Sequence, residues 1–281
     1  MIRPNIVTSY SGPNGALSHL TEIPSPGHVK LSRLMDAERR IILSVGDFSD
    51  FLNAYEQHVA VWNENLDGLT ETMMKQGLAG GVIHLSNAPR DESYGLTIHI
   101  EKPALNIFVA GDSPNSTVTG RAYSDGVKED QSTRIYMQSS RPKREPHQSI
   151  LAVDGYDVLD FYQEYYLNSE QRFARLFDLE DGRYMQVISL PGAESGFFET
   201  LDRAGAVALL EEGPALLEER TFFFQCGCTP QKMLRVLRTM FEHRPEDLFL
   251  GDPSVETSCP RCGRRWQVSR AEFEAPPEEE T

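Results

Sequence analysis

The sequence predicts an α+β protein: an N-terminal domain with a mostly antiparallel sheet packed by helices, a short helical linker, and a small C-terminal domain built around four cysteines. Three observations lead there. Four runs, "GLTIHIE", "LNIFVAG", "STVTGRAYS" and "TRIYMQS", are bounded by Pro, Gly, Asn or Asp and read as an antiparallel meander. Segments with apolar residues at helical spacing stand before and after that block. All four cysteines of the 281-residue chain lie in its last quarter, as Cys226-Gly227-Cys228 and Cys259-Pro260-Arg261-Cys262.

The elements follow in order. Residues 1–27, rich in Gly, Pro and Ser, read as an irregular arm. The N-terminal domain is expected over 28–195. "HVKLSRLM" and "RRIILSV" predict two strands around a turn at "DAE". Asp47 or Ser49 then caps a helix whose Phe51, Leu52, Tyr55, Val59 and Trp62 share one face. A second helix is expected from Leu66 to Gln76, ended by Gly77. "GLAGGVIHL" is then expected to be a strand, because two glycines are costly inside a helix. After the meander, "SSRPKREPHQS" reads as a solvated basic loop with no assigned role. "GYDVLDFYQEYYLNSEQ" puts Val158, Phe161, Tyr162, Tyr165 and Tyr166 on one helical face that packs on the sheet. "GRYMQVISLPGA" is a strand ending in a turn. Residues 196–221, acidic and rich in Ala and Leu, are expected to form the helical linker; 222–275 form the cysteine domain; 276–281 form an acidic disordered tail.

Composition narrows the function classes. With 40% hydrophobic and 25% charged residues the chain reads as a globular protein, and no apolar run approaches the roughly 18 residues of a membrane span. The first residues also lack the apolar core of a secretory signal, so a cytoplasmic location is expected. Thiols stay reduced there, which makes four clustered cysteines a metal or redox site before a disulfide framework. A net charge of −15 opposes binding to nucleic acid or anionic lipid over most of the surface. Positive charge nevertheless collects near the cysteines, as Lys232, Arg235, Arg238, Arg261, Arg264, Arg265 and Arg270. An enzyme is not expected: HExxH, GxSxG, Walker and GxGxxG patterns are absent, and CxxC lacks the βαβ context of a thiol oxidoreductase. His84 and His99, inside strand-like patterns, read as packing or surface residues.

The spacing of the cysteines fits zinc. A tetrahedral tetrathiolate has zinc–sulfur bonds of about 2.3 Å, hence sulfurs roughly 3.8 Å apart. Two residues between Cys259 and Cys262 make a tight knuckle, and Gly263 is free to take the positive φ that turns backbone amides toward sulfur. "SVETS" and "RRWQVS" complete a zinc-ribbon hairpin. Cys226 and Cys228 point the same way if the backbone between them is extended, with Gly227 allowing close approach. Thr229 and Pro230 start an amphipathic helix to about His243, with Met233, Val236, Leu237, Met240 and Phe241 facing inward. Cys226, Cys228, Cys259 and Cys262 are therefore expected to hold one Zn2+ per chain. A zinc that only staples a small domain is one reading. The other is a redox switch, since a Cys259–Cys262 disulfide removes two ligands and loss of metal unfolds the domain. A ribbon whose arginines contact nucleic acid or protein is the alternative function.

The order "FQCGC" then "ETSCPRCGRRWQVSRAEFE", with thirty residues between Cys228 and Cys259, closely resembles the C-terminal module of the redox-regulated 33-kDa heat-shock proteins, which are holdase chaperones. "VLDFYQEYYLNSEQ" resembles that family's aromatic helix, "MQVISLPGA" its strand ending in Leu-Pro-Gly-Ala, and "LTIHIEKPALNIFVAGDSPNSTVTGRAY" its sheet segment. The resemblance implies an N-terminal α/β domain that binds unfolding client proteins without ATP, a metastable linker and a zinc switch. It implies that oxidation under stress pairs Cys226 with Cys228 and Cys259 with Cys262, releasing zinc, with a homodimer as the oxidised form. One departure is the linker: 32 residues separate Ala193 from Cys226, fewer than is usual in the family. The three phenylalanines Phe222 to Phe224 are expected to belong to the apolar surface that unfolding releases.

Overall fold

The computed structural model describes residues 6–7, 27–62, 66–124, 126–127 and 132–275. The arm and the tail expected over 1–27 and 276–281 lie almost wholly outside them; within the arm, Ile6–Val7 forms a short strand, β1. Two compact units emerge. One is Pro24–Gln225, and the other contains Cys226–Thr281 together with β1.

The larger unit is built on a ten-stranded sheet. Its elements in chain order are β2 (His28–Asp36), β3 (Ile41–Asp47), α1 (Ser49–Val61), α2 (Gly68–Asn87), β4 (Ser93–Ile100), β5 (Leu105–Asp112), β6 (Thr117–Tyr123), β7 (Arg134–Ser140) and β8 (His147–Ala152). Then come α3 (Val158–Asn168), β9 (Ala174–Asp178), β10 (Arg183–Ser189), α4 (Ser195–Thr200), α5 (Arg203–Glu211) and β11 (Ala215–Phe224). The strand order is β8-β7-β4-β5-β6-β11-β2-β3-β10-β9, and every described pairing is antiparallel except β6 with β11. The expected antiparallel sheet packed by helices is thus present. α1, α2 and α3 pack on one face, burying Phe51, Met74, Val82, Phe161 and Tyr162 among sheet residues such as Leu96 and Ile107. Ile41, Leu43, Met185 and Val187 project from the opposite face, where Phe198 of α4 and Ala206 and Leu209 of α5 cover them. Burial on both faces explains why "RRIILSV" and "MQVISL" read as continuous apolar runs.

Three expectations about elements are corrected. The second helix does not stop at Gly77: α2 continues through Gly77, Gly80 and Gly81 to Asn87. A Cβ at Gly80 would lie 2.2 Å from the Tyr162 ring, and one at Gly81 would lie 2.1 Å from the Tyr94 hydroxyl. These glycines let bulky rings seat against the helix, and that packing outweighs their low helix propensity. Two strands, β8 and β9, were not foreseen; β8 begins inside the segment expected to be a basic loop. The third correction concerns 196–221. It holds two helical pieces and then a strand, for Arg220, Phe222 and Phe224 alternate inward along β11. Residues 220–224 have the two-residue period and aromatic content of a strand, which tertiary pairing with β2 and β6 realises. Phe222 and Phe224 are consequently core residues of the larger unit, and the break between units falls after Gln225.

The smaller unit contains α6 (Pro230–Phe241), α7 (Pro245–Phe249), β12 (Ser254–Ser258), β13 (Arg265–Ser269) and α8 (Arg270–Glu274). β12 and β13 pair over five residues each, and β1 adds to the free side of β12. Leu237, Leu248, Phe249, Val255, Val268 and Phe273 form its own apolar core. The inward face of α6 is narrower than expected. Met233 and Leu237 are buried and Leu234 and Phe241 half-buried, whereas Val236 and Met240 are exposed.

Candidate metal centre

Each half of the centre is shaped by local backbone chemistry. Cys226 follows the last residue of β11 by two positions, and Gly227 then turns the chain with φ +65. The link between Cys226 and Cys228 is therefore a left-handed turn, not the extended segment expected. A Cβ at Gly227 would meet nothing within 4 Å, so its backbone conformation rather than close approach requires glycine. Thr229 caps α6 by accepting from the Lys232 amide at 3.2 Å, with Pro230 in the first turn. Lys232 Nζ also donates to the Gly227 carbonyl at 2.8 Å, which fixes the turn to the helix behind it.

The other half is the expected knuckle. The Cys259 amide donates to the Arg264 carbonyl at 2.7 Å, and the Gly263 amide donates to the Cys259 carbonyl at 2.9 Å. Gly263 has φ +79, and the Arg261 amide approaches Cys259 Sγ at 3.4 Å. The β12–β13 hairpin holds the two arms of this knuckle in register, ending at the Ser258–Arg265 pair.

The four sulfurs converge. Cys226 Sγ lies 3.7 Å from Cys259 Sγ, Cys228 Sγ lies 3.5 Å from Cys262 Sγ, and all four fall within 4.8 Å of one another. Those separations match the roughly 3.8 Å edge of a zinc tetrathiolate. Cys259 and Cys262 are buried, Cys226 and Cys228 are half-buried, and Met233 and Trp266 pack against the cluster. Crowded sulfurs share protons unequally. Donation from Cys226, Cys228 and Cys262, helped by the Arg261 amide, holds Cys259 well below the usual thiol range despite its burial. Cys262 is pushed up, because its proton is held between sulfurs. A site that already favours thiolate at one sulfur is suited to a divalent, sulfur-seeking cation.

The basic residues do less for the sulfurs than their density in the sequence implies. Arg238 donates to the carbonyls of Glu272, Phe273 and Ala275, satisfying the C-terminal end of α8. Arg270 pairs with Glu246 and, at 2.8 Å, with Glu274, and Arg265 lies 3.5 Å from Glu256. These contacts hold the small unit together, and they engage several of the arginines a nucleic-acid surface would need. The roles of Lys232, Met233 and Trp266 went unforeseen. Only the position of Trp266, in the strand after the knuckle, pointed to one.

Comparison with known proteins agrees with this geometry. The family model described as "Hsp33 protein" matches residues 181–269. A 33 kDa chaperonin of Photorhabdus laumondii is 25% identical over 149 residues, covering 43% of this chain and 51% of that protein. A second 33 kDa chaperonin, from Nitrosococcus oceani, is 23% identical over 238 residues, covering 73% of this chain and 81% of that one. Residues 181–269 of this chain match the Hsp33 family. The chain's alignment spans about half the length of the first of these relatives and about four-fifths of the second. The crystal structure of the Thermotoga maritima 33 kDa chaperonin, a heat shock protein 33 homolog, superposes with a TM-score of 0.63 at 15% identity. It covers 88% of this chain and 96% of its own, which shows a shared fold. These relatives are named as chaperonins, not as enzymes. Among the described residues, no helix is long and apolar enough to cross a membrane.

Proposed function

We propose that this protein is a zinc-dependent, redox-regulated, ATP-independent holdase chaperone. The single observation that supports it most is the convergence of Cys226, Cys228, Cys259 and Cys262 within 4.8 Å, in a chain whose residues 181–269 match the Hsp33 family model. In the reduced state the four thiolates hold one zinc ion, whose contribution is folding free energy, on the order of 10 kcal/mol in comparable small modules. Oxidation by hydrogen peroxide takes two electrons from each pair of thiolates: one S–S bond forms, the O–O bond breaks, and its two oxygens take up two protons from solvent and leave as water. A Cys259–Cys262 disulfide removes two ligands, and a Cys226–Cys228 disulfide removes the others. The small unit then loses its metal and unfolds, exposing apolar residues to which unfolding client proteins bind, with a homodimer as the working form. The setting is a normally reducing cytoplasm.

Client binding is tested by following the aggregation of a heat-denatured protein in the presence of reduced and peroxide-treated chaperone. The expected outcome is suppression that rises after oxidation at elevated temperature and falls again after thiol reduction. Equal suppression in both states removes the switch; none in either removes the chaperone.

A further inference from the structure

Away from the cysteines, strand register builds a polar row where apolar packing is the rule. Glu218 of β11 pairs with Arg33 of β2, Arg33 with Ser44 of β3, and Ser44 with Gln186 of β10. Cross-strand partners share a face, so these four side chains form one line. Ser44 and Gln186 are fully buried. Asn87, at the end of α2, covers them, reaching Gln186 Oε1 at 2.9 Å and Ser44 Oγ at 3.4 Å. Arg220, two residues beyond Glu218 on the same face, is only 6% exposed. Its guanidinium donates to the Leu85 carbonyl at 3.0 Å and to Ser113 Oγ at 2.9 Å. The carbonyl bond serves the C-terminal end of α2, which accounts structurally for part of one guanidinium.

The charges here do not balance. Glu218 pairs with Arg33 through Oε1 and with Arg90 through Oε2. Arg33, Arg90 and Arg220 all act on this one carboxylate, and Arg33 and Arg90 both repel Arg220. Arg172, which donates to the Ser189 carbonyl and has Glu170 nearby, adds its own repulsion with Arg33. The Nε atoms of Arg33 and Arg220 are buried without a hydrogen-bond partner. Side-chain exposure is 68% at Arg90, 26% at Glu218 and 19% at Arg33, so the group meets solvent at Arg90 and is most buried at Arg220.

From this we infer that Arg33, Arg90 and Arg220 form an oxyanion site for phosphate-type groups, with Glu218 as a tethered internal anion between two of the guanidiniums. Planar guanidiniums match phosphate oxygens with paired N–H donors. A phosphate group carries about −1.5 to −2 charges near neutral pH, which fits three guanidiniums around one carboxylate. Free inorganic phosphate and a polyphosphate chain present the same oxyanion chemistry.

The test uses the reduced full-length chain, in a thermal-shift and a calorimetric titration with inorganic phosphate and with tripolyphosphate, against sodium chloride at equal ionic strength. A saturable rise in Tm and a binding isotherm are expected with at least one of the two phosphates. Arg90→Ala, at an exposed position, should keep the fold and weaken binding about tenfold, the loss of one charge-assisted contact. Glu218→Gln should lower Tm in chloride, and phosphate should restore it at lower concentration than the parent chain needs. A shift that chloride reproduces at equal ionic strength overturns the site, as does binding that Arg90→Ala leaves intact.

Discussion

His84 shows how a single residue can be legible in type and not in consequence. Its ring is fully enclosed, with edge contacts to Tyr94 and Tyr165 at centroid distances of 5.1 and 5.7 Å and Nδ1 3.0 Å from the Tyr166 hydroxyl. Burial pushes its pKa down to about 4, with the nearby charge of Glu170 opposing that shift. An unfolded histidine titrates near 6.5, so between about pH 6.5 and 4 the unfolded chain binds a proton that the folded chain does not. Stability is therefore full above about pH 6.5 and declines as pH falls, by about 3 kcal/mol over the whole interval from this group. Denaturant unfolding at pH 7 and pH 5 should show a smaller difference for His84→Phe than for the parent chain. The sequence reads His84 as a packing or surface residue; the enclosure that makes it pH-sensitive comes from Tyr94 on β4 and from Tyr165 and Tyr166 on α3, and Tyr166 is 82 residues away. Gly80 carries a similar lesson. Its apparent helix-breaking character hid a contact with Tyr162, and Gly80→Ala should cost about 1–3 kcal/mol by overpacking, read from the same unfolding curves. At Gly227 the reason is φ +65, and Gly227→Ala should cost about 1–2 kcal/mol, seen as weaker zinc binding in a chelator competition.

At the level of elements, short-range signals were clear where one period dominated. Strands β4 to β7, helix α3 and the β12–β13 hairpin have such signals in their own residues. β11 did not, because its first half, "ALLEE", carries helical composition and only "RTFFF" carries the alternation of a strand. Its place in the sheet is decided by partners β2 and β6, more than 90 residues earlier in the chain. That placement has a measurable consequence. Phe222 is fully buried in the main core, so Phe222→Ala should destabilise the larger unit by about 3–5 kcal/mol in denaturant unfolding, with zinc content unchanged. Had the phenylalanines belonged to the four-cysteine unit, the reverse pattern would be seen. The short segment between β10 and β11 has only α4 and α5, and both contribute side chains to a core on the second face of the sheet. Under the proposed function, any unfolding of this segment on oxidation has to compete with that packing.

Across the whole molecule, the cysteine site was the most legible feature of the sequence, since short spacings constrain geometry directly. The large sheet was legible in class and incomplete in extent, because β8 and β9 are its two edge strands, each paired only with its neighbour in the chain, and β8 begins inside a charged, Pro-containing segment. Each unit has apolar cores of its own, which predicts separable behaviour: Cys259→Ser should abolish zinc binding and the folded signal of the smaller unit, while the larger unit keeps its own thermal transition. In the proposed function, sulfur oxidation, metal release and chaperone activity are one event. The most direct measurement counts zinc and free thiols in the same samples, before and after peroxide with mild heating, alongside the aggregation assay. The predicted result is one zinc and four thiols per chain at the start, lost together as client holding rises. Zinc retained after that treatment, or thiols and zinc lost with holding unchanged, would contradict it.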